Sequence, residues 1–109
     1  TINILKIMSI KVTILNDGTQ LLCDLKEVVD PTDRGVQYLI TKPFQIVYTP
    51  EVRLKEENAG TESQVNKVGL KSWMDISEDS TYIINPATVT TICDPVNDLK
   101  LMYQELTNG

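Results

Sequence analysis

Three features of this sequence predict an all-β fold, a small, strongly bent antiparallel barrel of five to six strands with a short C-terminal helix. β-Branched and aromatic residues recur in period-two runs separated by turn signals. An Asp-Gly pair stands between the first two runs, the strongest short hairpin signal a sequence can carry. Prolines fall where a central strand could not continue, and beyond Asp94 the apolar spacing changes from two to three or four.

The first strand is "IKVTIL", with Ile10, Val12 and Ile14 on one face and Lys11 and Thr13 on the other. Met8 opens this run, so residues 1–7 are expected to be an upstream extension that adds little to the fold. After Asn16-Asp17-Gly18, "TQLLCDLKEVV" sets Leu21, Cys23 and Leu25 against Asp24 and Lys26, completing a hairpin. Asp30-Pro31 ends it. A long extended run covers residues 36–49, interrupted by Pro43, which cannot donate to a ladder and so demands a bulge, a bend or an outward edge. Val36, Tyr38 and Ile40 share a face before the proline; Phe44, Ile46 and Tyr48 share one after it.

Residues 51–66 are polar, charged and glycine-containing and read as a loop. "KVGLKSWM" returns as a strand antiparallel to 44–49. Next come "TYII" and "TVTTIC", parted by Asn85-Pro86, where only a single 3-10 turn fits between them. The Asx oxygen can accept N–H bonds two or three residues on, while proline supplies a φ already suited to the turn. Asp94 as N-cap and Pro95 as first residue then open a helix over 94–107, with Val96, Leu99, Met102, Tyr103 and Leu106 as its apolar stripe. It is expected to pack on the barrel or on a neighbouring copy. The whole chain, 1–109, reads as one domain.

Ten Lys and Arg against fifteen Asp and Glu give a net charge of −5, which disfavours nonspecific attachment to phosphate polymers or anionic lipid. Between residues 42 and 72, however, Lys42, Arg53, Lys55, Lys67 and Lys71 outnumber Glu51, Glu56, Glu57 and Glu62, so any phosphate-tolerant surface belongs there. No stretch approaches the ~20 apolar residues that cross a bilayer. Cys23 and Cys93 each lie in an apolar run and read as buried, reduced strand thiols, consistent with a cytoplasmic location.

Without histidine, Ser-His-Asp and Cys-His devices are impossible. Asp30 and Asp33 could hold a divalent ion or serve as acid and base, but Asp30 reads as a turn cap and Asp33 as solvated. No enzymatic activity, metal or cofactor is expected. Alternation assigns Tyr38, Phe44 and Tyr48 to the core and leaves Trp73, out of phase with Leu70, as the aromatic most suited to an interface.

The arrangement resembles the Sm and Sm-like family at two stretches. In the family's first motif a glycine is followed at fixed spacings by Gly, Leu, Asp and Asn; here Gly18 is followed at those spacings by Cys23, Leu25, Asp30 and Asp33. The second motif, Ile-Arg-Gly-x-x-Val-x-x-Ile, is matched in length by Ile84-Asn85-Pro86-Ala87-Thr88-Val89-Thr90-Thr91-Ile92. The composition and loose pattern also resemble small proteins of cyanobacterial viruses. The family resemblance implies a ring in which the strand before the one-turn link pairs with the strand after it in the adjacent copy. Tyr82, Ile83, Ile84, Val89, Thr91 and Ile92 would form that contact.

It also implies a ligand, single-stranded nucleic acid and RNA above DNA, with Asp30, Asp33, Asn85 and Pro86 at the positions that line the family's uridine pocket. Asp33 in place of Asn keeps acceptors and loses the amide donor; Asn85 in place of Arg removes a cation and a stacking plane. Both changes argue against the usual uridine recognition. Arg34, Arg53, Lys55, Lys67 and Lys71 are the candidates for phosphate contact. The runner-up is a structural or adaptor ring, viral on the second resemblance, that binds a protein.

Overall fold

The computed structural model describes residues 2–29, 35–54 and 62–108, and within these the side chains of 2–29, 35–49 and 67–108. Strands β1 (Asn3–Leu15) and β2 (Gln20–Val29) form the first hairpin. Its turn works as the sequence suggests: Gly18 takes φ +91°, Gly18 N donates to Leu15 O at 2.9 Å, and the Asp17 carboxylate accepts from Thr19 N at 2.9 Å. These Thr19 hydrogen bonds hold the Asp17 carboxyl below its usual range. β1 starts at Asn3, well before the expected Ile10, and residues 3–9 pair with Leu25–Val29. Two register shifts, between Ile4 and Lys6 and between Ile7 and Ser9, break the alternation, and Ser9 takes φ +66°. A strand bulged twice has no period-two signature, which is why this stretch does not read as one.

β3 (Val36–Leu54) carries the second device of the fold. Its register against β2 runs Leu25↔Ile40 and Asp24↔Thr41, then jumps to Leu22↔Phe44 across Lys42 and Pro43. The proline is accommodated as a bulge, with Lys42 at φ +49° and its N–H donated to Ser80 O at 2.6 Å. The extra residue inverts the strand's faces. Before it, Tyr38 and Ile40 pack with Leu21, Cys23 and Leu25; after it, Phe44 and Ile46 pack with Val12 and Leu22 on the other side of the sheet.

The outer neighbour of β3 changes at the same place. β5 (Thr81–Ile84) pairs with residues 38–41, and β4 (Glu62–Ser72) pairs with 44–54. Of the segment expected to be a loop over 51–66, residues 51–54 and 62–66 belong to a two-stranded ribbon, with Leu54 opposite Glu62, and 55–61 lie outside the described residues. Polar alternation in a ribbon with solvent at its flanks resembles loop composition, so the sequence conceals it. The ribbon makes the molecule long, 65 × 30 × 27 Å.

β6 (Val89–Cys93) lies against β1, giving the order β4-β3-β2-β1-β6 with β5 also on β3. β5 and β6 thus stand four strand spacings apart along the sheet, roughly 19 Å if it were flat. Yet only residues 85–88 join them, and Pro86–Thr88 form a 3-10 turn, which rises only ~2 Å per residue. The sheet must curl until its two edges meet this link. Consistently, β5 supplies Tyr82 and Ile84, and β6 Ile92, to one cluster with Leu21, Cys23, Leu25 and Ile40, the concave core.

Trp73, expected at an interface, belongs to this core and stacks edge-on against Tyr82 at 5.9 Å. Its phase is indeed opposite to Leu70, but the bulge has given the sheet a core on both sides. Tyr48, expected inside, is 56% exposed and donates its hydroxyl to Gln20 Oε1 at 3.0 Å, because the ribbon has already left the barrel there. Cys23 is buried as expected; Cys93 is exposed, since Ile92 takes the inward position beside it.

Helix α1 (Asn97–Asn108) covers the convex core, packing on the barrel of its own chain. Tyr103 is buried on Phe44, ring centroids 5.9 Å apart and nearly perpendicular, and its hydroxyl donates to Thr41 O at 2.9 Å. At the C-terminal end, Lys42 Nζ donates to Thr107 O at 3.2 Å, a cation at the negative end of the helix. The helix begins three residues later than expected. Asp94 does not cap it, its carboxylate being paired with Lys11 of β1, and Val96 O accepts the first helical bond, from Lys100 N.

The link is held by Asn16 of the first turn, whose N donates to Thr88 O at 2.9 Å, Nδ2 to Ala87 O at 2.7 Å, and Oδ1 accepts from Thr90 Oγ1 at 2.7 Å. Asn16→Ala removes the last two, and its cost in urea unfolding is expected at about 1–2 kcal/mol, where a neutral result would show the link is not held from β1. A second prediction concerns alkali. Burial pushes the Cys23 thiol from 9.0 to about 11 and the Tyr103 phenol from 10.0 to about 12. Both are raised, so the stability from keeping them protonated is complete below pH 9 and is lost as pH rises towards 12. The urea midpoint should fall across that window, and Cys23→Ala should flatten its lower part.

Candidate nucleic-acid and subunit interface

Asn85 heads the link in an extended conformation, φ −76° and ψ 131°. Its Oδ1 accepts from Ala87 N at 2.9 Å and its carbonyl from Thr88 N at 2.9 Å and Thr88 Oγ1 at 2.7 Å. The side chain is an N-cap as the sequence suggests, and the capping bond orients the amide, leaving Nδ2 as the donor turned away from the turn. Pro86 occupies the first position of the turn, where its missing N–H costs nothing.

Register places this turn beside the start of β3. Ile84 lies opposite Tyr38, and Val36 lies opposite Val29 at the mouth of the connection between β2 and β3. The ends of that connection and the Asn85 turn therefore share one end of the barrel. Asp30, Asp33 and Arg34 lie outside the described residues, as does Lys55; Arg53 is in β3 with its side chain outside them. Lys67 and Lys71 are exposed on β4, away from Asn85. Of the candidates within the described residues, Asn85 and Pro86 lie at this end of the barrel and Lys67 and Lys71 on the ribbon.

The six candidate interface residues divide by face. Tyr82, Ile84 and Ile92 point into the concave core, Val89 is half-buried, Thr91 is exposed, and Ile83 is 45% exposed on the outer side of β5. What they share is backbone. Among the described residues β5 pairs with β3 alone and β6 with β1 alone, so each keeps one unpaired ladder edge, and the two edges face the seam between them. Neither strand has a lysine or an inward-pointing charge to block addition of another strand.

Asn16 is the residue sequence reading passes over. "NDG" is legible as a turn, and nothing in it shows that the Asn also clasps a segment seventy residues away. An open cleft of about 360 Å³ lies where α1, the bulge and the approach to β5 meet, with Lys42, Phe44, Met74, Tyr82 and Leu106 in its walls. No group of three or more metal-ligating side chains occurs among the described residues.

No curated protein matches the sequence. The family model described as the Sm_like domain matches residues 12–104, a span that starts within β1 and ends inside α1. That family is in general one of ring-forming, RNA-binding proteins. Because the match covers most of the chain, including both open-edged strands and the turn that joins them, the chain belongs to the Sm-like family.

Proposed function

We propose that this protein assembles into a closed ring and that the ring binds single-stranded nucleic acid, RNA above DNA, without catalysing a reaction. The observation that carries the proposal is the pair of unpaired edges on β5 and β6, held on either side of one rigid turn. An edge of this kind is satisfied by a strand from another copy, and because the donor and acceptor edges differ, the contact is head-to-tail and closes into a ring of about five to seven copies. Ring closure would bring one Asn85 turn per copy to a common rim.

Asn85, Pro86, Asp30 and Asp33 are the proposed base contacts. With Oδ1 committed to Ala87, Asn85 offers Nδ2 as a donor, and the carboxylates offer acceptors, a set that accommodates bases without the cation and stacking plane of the usual uridine site. The net charge of −5 favours a second reading, a ring that serves as an adaptor for a protein partner.

Native mass spectrometry is expected to show a single multiple of the chain mass. Ile83→Lys, a charge on the outer side of β5, should yield monomers with unchanged β-sheet circular dichroism; a monomeric wild-type protein overturns the proposal. Fluorescence anisotropy with oligo-U, oligo-A and single-stranded DNA at low salt tests the ligand, and silence with all three leaves the protein adaptor as the function. Asp33→Asn restores the amide donor and should raise oligo-U affinity relative to oligo-A by roughly three- to tenfold, the worth of one hydrogen bond.

A further inference from the structure

The β3–β4 ribbon lies outside the barrel and has two unlike faces. Directly opposed residues of an antiparallel pair share a face, and alternate pairs share it again. One set is Phe44↔Ser72, Ile46↔Leu70, Tyr48↔Val68, Pro50↔Asn66, Val52↔Gln64 and Leu54↔Glu62. It is apolar along β3, contains no cation, and near the barrel is the floor on which α1 sits. The other set is Gln45↔Lys71, Val47↔Gly69, Thr49↔Lys67, Glu51↔Val65 and Arg53↔Ser63. All three cations of the paired ribbon fall on it, with a single acid.

Their spacing is regular. Lys71 and Lys67 are four residues apart, about 13 Å along a strand, and both are exposed. Arg53, at the register of Ser63, stands the same distance beyond Lys67, so the three positions form a line of roughly 26 Å. The ground between them is low. A Cβ built on Gly69 would meet nothing nearer than Val47 Cγ2 at 3.6 Å, so the backbone there is open to a close approach. Gln45 and Thr49 add amide and hydroxyl groups of the sort that bond phosphates and sugars.

We propose that this face is a track for the sugar-phosphate backbone of a single-stranded nucleic acid, separate from the Asn85 end of the barrel. A line of evenly spaced cations with small polar neighbours and no large apolar anchor suits a regular polyanion better than a folded protein, whose binding centres on buried aromatic and aliphatic groups. The inference rests on the nucleic-acid reading above and gives it a second contact. Lys67 and Lys71, with the Arg53 position in line, give this face a local cationic character within a chain of net charge −5.

The test is the salt dependence of oligo-U and oligo-A binding between about 50 and 200 mM salt, the range over which counterion release dominates. Lys67→Gln with Lys71→Gln is compared with Gln64→Glu plus Asn66→Asp, which lowers the net charge equally on the opposite face. The first pair should reduce the slope of log K against log salt by about 1.4 and weaken binding at low salt several tens-fold, at ~0.7 per lost phosphate contact. The second should leave the slope unchanged. Gly69→Ala, whose added Cβ reaches no atom nearer than 3.6 Å, should weaken binding with no loss of thermal stability. If wild type binds both oligonucleotides and the two double variants behave alike, the track is wrong and the nucleic-acid reading stands. Absence of any wild-type binding overturns both. Full displacement of the oligonucleotide by poly-glutamate at equal charge concentration would mark the face as an acidic-peptide site and overturn the track.

Discussion

A four-residue link between strands at opposite edges of the sheet is the constraint on which this architecture depends. Flat, the sheet would hold β5 and β6 too far apart for residues 85–88 to reach, so the link can form only on a curled sheet, and once formed it keeps the sheet curled. Asn85, Pro86 and Asn16 each contribute to its rigidity in a different way, through a cap, a preset dihedral and a clasp from the first turn. The curl brings the edges together without joining them. A barrel that closed fully would leave no edge, whereas among the described residues this one keeps two open ladder edges at a defined angle.

The bulge at Lys42 and Pro43 is the second organising feature, and its effect is to give one strand two different jobs. Up to Thr41, β3 lines the inside of the barrel; beyond the bulge, Phe44 and Ile46 face the other side of the sheet and make the seat for α1. The positive φ at Lys42 is costly for a residue with a Cβ, and several bonds converge to hold it: its N–H on Ser80 O, its ammonium on Thr107 O, and Tyr103 on the neighbouring Thr41 carbonyl. Helix position and strand geometry are therefore coupled through a single residue. Beyond the bulge, Lys67 and Lys71 share the face opposite to that of Phe44 and Ile46.

Much of this was legible in the residues. The Asp-Gly hairpin, the interruption at Pro43, the one-turn link at Asn85 and the amphipathic tail each rest on local chemistry that neighbours in space do not alter. What escaped depended on pairing across the chain. Asn3–Ser9 are a strand because β2 needs a partner, although two bulges erase their alternation. Residues 51–54 and 62–66 are strand because they face each other in register, not because their side chains prefer it. The phase argument that gives Trp73 to an interface holds for a sheet with one core and fails for a sheet with two. Of the candidate site, Asn85 and the two edges could be located from sequence; the clasp by Asn16 and the segregation of Lys67, Lys71 and Arg53 needed the register.

The placement of β6 has a consequence for how the chain reaches its native state. Val12 meets Cys93 and Leu15 meets Val89, contacts between residues more than seventy positions apart. During synthesis, β1 and β2 emerge and can zip together at once, but the free flank of β1 must wait until Val89–Cys93 have been made. Neighbouring nascent chains on one polysome would expose that flank to each other in the meantime. The two bulges in its early half, which spoil a straight template, are suited to keeping such premature couplings short-lived.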